Sequence, residues 1–147
     1  MWTEIITEED INKLKELYGN FHDSCLRDIY ISTSDFVDEK RTMHFDNELT
    51  ASLLFQRQFK NDPVLELKFI GIKRINFQPM PKNYNGVIYD ATLKIKDGLF
   101  YWADFEGWDI TEDESGDTES IWVCGETLFW RLRPELIGNI QRLSDQF

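Results

Sequence analysis

The sequence predicts an α+β domain in which an N-terminal helix packs on a curved, mainly antiparallel β-sheet, folded into a sandwich or partial barrel, with a short C-terminal helix. Three observations carry that prediction. One capped stretch of helical spacing lies near the start, the spacing changes to a period of two after Phe21, and no linker or internal repeat divides the 147 residues. Strands in series after a single helix pair most simply as antiparallel neighbours. A chain of this length buries roughly 68–70% of its unfolded surface. Its 41% hydrophobic and 14% aromatic content is enough for one core, so residues 1–147 read as one domain.

The helix opens at Thr7-Glu8-Glu9-Asp10, where Thr7 caps free N–H groups and three acids complement the positive end of the dipole. Ile11, Leu14, Leu17 and Tyr18 make its apolar stripe, and Gly19 supplies a left-handed stop. Leu26–Thr33 and Phe36–Val37 read as a strand or a broken pair, and Asp38–Arg41 as a polar turn before Thr42–Phe45. Ala51–Phe59 is a strand closed by the Asn61-Asp62-Pro63 turn. Leu65, Leu67 and Phe69 alternate with Glu66 and Lys68, Gly71 interrupts the phase as a bulge would, and Ile72–Phe77 continues extended. The alternation from Val87 through Ile95 predicts one strand, turned at Asp97-Gly98 into Leu99–Asp104. Glu106–Ser120 is a polar insertion. Ile121–Cys124 and Thr127–Arg133 form the last strand, broken at Gly125, and Pro134–Leu143 reads as the closing helix with Pro at its first position.

Charge narrows the classes of function. The net charge is −11; residues 1–50 carry −7, residues 51–100 carry +4 and residues 101–147 carry −8. Such a surface repels nucleic acid and anionic lipid, and speeds encounter with cationic partners. No apolar run approaches the roughly 20 residues of a membrane span, and Met1–Ile11 lacks the pattern of a signal peptide, so a cytoplasmic location is expected. Cys25 and Cys124 are then expected as thiols and as small buried hydrophobes.

The candidate sites are few. Phe21-His22-Asp23-Ser24 sets an imidazole beside a carboxylate and a hydroxyl, which suits general-base work. Adjacent side chains diverge, however, and a strand corner explains the same residues. Asp90, on the polar phase of its strand, is the carboxylate that would complete a site with His22 and Asp23. His22, Asp23, His44 and Asp46 have metal-ligand chemistry, but nothing in their spacing makes them meet; neither a metal nor a cofactor is expected. Phe100, Tyr101, Trp102, Phe105 and Trp108, with Trp122, Phe129 and Trp130, are enough to line a ligand pocket, but along alternating strands they read mostly as the two faces of the sheet. The strongest local signal is Asp104–Glu119, where eight of sixteen residues are acidic and none is basic. Asp104, Glu106, Asp109, Glu112, Asp113 and Glu114 are expected to pair with a basic protein around Trp108 as aromatic anchor.

Phe21-His22-Asp23 before an alternating strand, with Phe69-Ile70-Gly71-Ile72 later, resembles a loose group of small bacterial β-rich proteins. These share an F-H-D-[AS] corner and an F-x-G-[IV] strand, and the group includes immunity proteins of polymorphic toxin systems. The resemblance covers about Phe21–Phe77 and leaves the acidic insertion after Asp104 unmatched. It implies a cytosolic antidote that occludes a toxin domain, many such toxins being nucleases with basic surfaces. The sequence reading is therefore a non-enzymatic, immunity-type inhibitor. The alternatives are a small ligand-binding protein or enzyme near His22, Asp23 and Asp90, and a structural subunit that pairs two copies.

Overall fold

The computed structural model describes residues 1–117 and 119–142. Strand β1 (Thr3–Ile5) leads into helix α1 (Glu8–Tyr18). Thr7 Oγ1 accepts from Asp10 N while the Asp10 carboxylate accepts from Thr7 N, a reciprocal capping box, and Gly19 closes the helix in the left-handed region. Ile11, Leu14 and Tyr18 are buried along the predicted stripe.

The remaining elements are β2 (Ser24–Thr33), a small hairpin of β3 (Phe36–Val37) and β4 (Met43–His44), β5 (Leu49–Arg57), β6 (Val64–Asn76), β7 (Val87–Ile88), β8 (Thr92–Lys96), β9 (Leu99–Ala103) and β10 (Trp122–Leu132). Apart from the hairpin they form one antiparallel sheet in the order β7-β2-β5-β6-β10-β9-β8. It curls into a half-barrel with α1 packed on it. One edge of β10 is shared: its first half pairs with β9 and its second with β1.

Two irregularities set which side chains face inward. In β2 the register slips between Leu26 and Asp28, so Arg27 is an extra residue. Leu26 faces the core before the bulge, and Ile29 packs against it after the bulge. The second lies at Lys73, two residues past the Gly71 where it was expected: Cys124 faces Arg74 whereas Gly125 faces Ile72, so Lys73 is the extra residue, and Gly71 itself sits at φ 72°.

The concave face holds the main core, including Leu14, Tyr18, Phe21, Leu53, Phe55, Leu67, Phe69, Trp102 and Leu128. Tyr18 Oη donates to the carbonyls of Phe55 and Pro63 at 3.3 and 3.2 Å, seating α1 where β5 turns into β6. On the convex face Glu66, only 3% exposed, accepts from Ser52 Oγ (2.6 Å), Arg131 Nε (2.6 Å), Arg133 Nη1 (2.9 Å) and Arg142 Nη1 (2.6 Å). Arg142 also clasps Asp28, so the C-terminal segment straps across the back of β2 and β5.

Four expectations change. The alternation from Val87 to Ile95 is two strands, because the chain leaves β2 after Ile88 and joins the opposite edge of the sheet at Thr92. β10 runs unbroken through Gly125, where an added Cβ would lie 3.1 Å from Cδ1 of Phe69, a tight contact that the ring would have to relieve. Instead of a closing helix there is a 3-10 turn at Pro134–Leu136, followed by chain whose carbonyls at Leu136 and Gly138 accept from Gln56 Nε2. Leu143 lies outside the described residues. Cys25 is exposed, since Ser24 takes the inward position at the start of β2, whereas Cys124 is buried.

Candidate functional site

The described residues of the acidic segment fold back over the convex face of β8, β9 and β10 as a cover. Its ends meet where Asp104 N donates to Ile121 O at 3.1 Å. Tyr101, Ala103, Trp122 and Cys124, the outward residues of β9 and β10, form a second core there with Trp108. The Trp108 ring lies 5.7 Å from Tyr101 and 5.0 Å from Trp122. Its Nε1 donates to Asp113 at 3.0 Å, and Asp113 also accepts from Ser120 Oγ at 3.2 Å. Asp109 accepts from Lys94 (2.7 Å) and Lys96 (3.1 Å) on the wet phase of β8, and from the Thr111 amide and hydroxyl. These donors, Lys94 first, hold the Asp109 carboxyl well below the usual carboxylate range. Arg74 donates to Glu114 O and Gln78 Nε2 to Gly116 O, anchoring the far end.

This arrangement sorts the predicted contact residues. Glu106, Glu112 and Glu114 are exposed. Trp108 and Asp113 are each 2% exposed, so the expected aromatic anchor faces inward and serves the cover itself. Asp109 is occupied by two lysines, and Asp104 is half-buried at the hinge of the segment. Phe105, 43% exposed, is the aromatic that stands beside the outward acids, together with Asp117 and Glu119. Lys94 and Lys96, next to an acid-only stretch, were the sequence signal for this inward pairing.

The Phe21-His22-Asp23-Ser24 corner is strained. Gly19, Asn20, Phe21 and Asp23 all adopt left-handed φ, between 53° and 64°, which bulky residues rarely do. Packing holds Phe21 there, with ring centroids 5.4 Å from Tyr18 and 4.9 Å from Phe55. Ser24 Oγ donates to Phe21 O (2.6 Å), Asp23 N to Ile88 O (2.9 Å) and Ala91 N to Asn20 O (3.1 Å). His22 Nδ1 meets the Tyr89 carbonyl, which only accepts, so Nδ1 carries the hydrogen. The structure does bring the three candidates together, with His22 at 3.4 Å from Asp23 and 3.9 Å from Asp90. All three side chains are 39–47% exposed. The contacts lace the corner to the β7–β8 connection, which is work for a latch.

His44 does not join them. It bonds Asp38 at 2.8 Å and stacks on Phe36 in the β3–β4 hairpin. Among the described residues no group of three His, Cys, Asp or Glu side chains is placed to hold a metal ion.

A cavity of about 420 Å³ opens between β2 and β9 at the rim of the main core. Leu26, Ile31, Ile75, Phe77, Met80 and Ile121 give it apolar walls, and Asp104 lies at its margin with Arg27 and Asp28. Burial pushes the Asp104 carboxyl above its ordinary range, against the opposing pull of main-chain N–H groups.

Comparison with protein-family models, with characterised proteins and with solved structures yields no match to this chain.

Proposed function

We propose that this chain is a non-enzymatic protein-binding module, an immunity-type inhibitor that covers a basic surface of a bacterial toxin domain. The observation that supports this reading most is the construction of the acidic segment. Its inner side chains, Trp108, Asp109 and Asp113, are spent on the sheet, which leaves Glu106, Glu112 and Glu114 outward on a backbone already fixed. A backbone already positioned has less freedom left to lose when a cation arrives, so more of the attraction survives as affinity. Phe105 takes the anchoring role first expected of Trp108. The net charge of −11 adds long-range steering toward a cationic partner.

The test starts from the neighbouring gene, which this reading requires to encode a toxin domain, and proceeds by co-expression of the two, size exclusion and titration. A one-to-one complex is expected, weakened at least about tenfold when sodium chloride rises from about 0.1 to 0.5 M. Glu106→Gln, Glu112→Gln and Glu114→Gln together should weaken it comparably without moving the melting temperature, since all three are exposed. Binding indifferent to both changes, or turnover of a substrate by the purified chain alone, overturns the reading.

A further inference from the structure

Of the two carboxylates at the mouth cavity, one is already satisfied. Asp28 is clasped by the Arg142 guanidinium from the convex side. Asp104 accepts from main-chain N–H groups at Ile121 and at its own residue. Among the described residues it takes part in no ion pair. The one cation in the cavity lining, Arg27, donates through Nη2 to Asn139 Oδ1 at 3.2 Å, while its Nε and the Nε1 of Trp102, also in the lining, are buried donors without a hydrogen-bond partner among the described residues. A carboxylate partly withdrawn from water and left without a counter-charge costs free energy, and a cation delivered to it recovers that cost.

The walls specify the rest of the ligand. A volume of about 420 Å³ lies within the range of small-molecule sites, and its lining is predominantly aliphatic and aromatic. A hydrated metal ion gains nothing from Ile31, Ile75 and Met80. A negatively charged molecule would meet Asp104 and a chain of net charge −11.

We infer that the mouth cavity is a binding site for a small organic ammonium ion, an apolar body bearing one protonated amine, with the ammonium on Asp104 and the body against Ile31, Ile75 and Ile121. Asp104 thereby leaves the docking surface first expected of it and serves a separate site. The inference needs no protein partner, so its failure and that of the acidic-surface reading are distinguishable.

Three probes with one body and different heads test it by calorimetric titration of the full chain: 4-phenylbutylamine, 4-phenylbutanol and 4-phenylbutyrate. The amine should bind one-to-one with Kd of about 0.1 mM or tighter. It should bind at least about tenfold better than the alcohol, and the carboxylate worst, because a hydrogen bond to a charged group exceeds a neutral one by about that factor. Asp104→Asn should erase the amine's advantage and leave the alcohol unchanged. Gly86→Phe should abolish binding of all three, since Gly86 lines the cavity and an added Cβ there meets nothing within 4 Å; an unchanged melting temperature checks that the variant folds. Absence of amine binding, equal affinity for amine and carboxylate, an advantage that survives Asp104→Asn, or binding that survives Gly86→Phe each overturns the assignment.

Discussion

Two acidic side chains show how burial acts in opposite directions according to its company. Burial alone would raise the Glu66 carboxyl, but the Ser52 hydroxyl, Arg131 and Arg142 outweigh it and hold it below its ordinary 4.5. Its contribution to stability is therefore complete above that value and is lost as pH falls through the lower, folded one. Glu66→Gln should cost about 3 kcal/mol at pH 7, because three guanidinium groups lose their shared counter-charge, and should flatten the loss of stability below pH 4.5. Urea titrations across pH 3–7 check both; an unchanged acid limb refutes the account. Asp104 has the other sign. Its carboxyl is raised above 3.8 by burial, so the folded state holds its proton longer and stability falls as pH rises through that interval. Asp104→Asn should make the ligand-free protein more stable at pH 7, and a lowered melting point would contradict this. Neither partner set was legible in sequence, since residues 66 and 142 meet only through the C-terminal strap, and 104 and 121 only where β9 pairs with β10. Trp108 was misjudged for a related reason: an aromatic among acids reads as exposed until a second core is known to lie beneath it.

Elements with their signals in adjacent residues were read correctly. Helix α1 carries its start, stripe and stop within thirteen residues, Thr7 to Gly19, and the structure reproduces all three. Thr7→Ala removes one half of the capping box and should cost about 1 kcal/mol of unfolding free energy, measurable by urea denaturation. A loss below a few tenths would show that packing alone holds the helix. The Asp97-Gly98 hairpin, both residues at positive φ, was equally local. Where the reading failed, the deciding contact was distant. Alternation in Val87–Ile95 reads as one phase, but the structure reverses it: Ile88 faces inward in β7 while Val87 and Tyr89 are exposed, and Leu93 and Ile95 face inward in β8, because β7 and β8 join opposite edges of the sheet. The segment after Pro134 has a helical opening signal, but Gln56 and Glu66 draw it across the sheet as a strap instead.

At the scale of the molecule, fold class and the antiparallel character of the sheet were legible because hydrophobic period and turn chemistry repeat along the whole chain. The mouth cavity was not, because it is a gap left by curvature, with walls contributed by β2, β6, β9 and the loop between β6 and β7. The shared edge of β10 has a consequence for synthesis. Thr3 pairs with Trp130, so β1, which precedes every other described strand of this sheet, is completed only when β10 is present. Until then the nascent chain must carry the apolar surfaces of β5 and β6 without the neighbour that closes them. Contacts this far apart in sequence form slowly and after long exposure. The half-barrel is thus a structure that assembles after translation of its final strand, and a chain truncated before β10 is a natural client for chaperones.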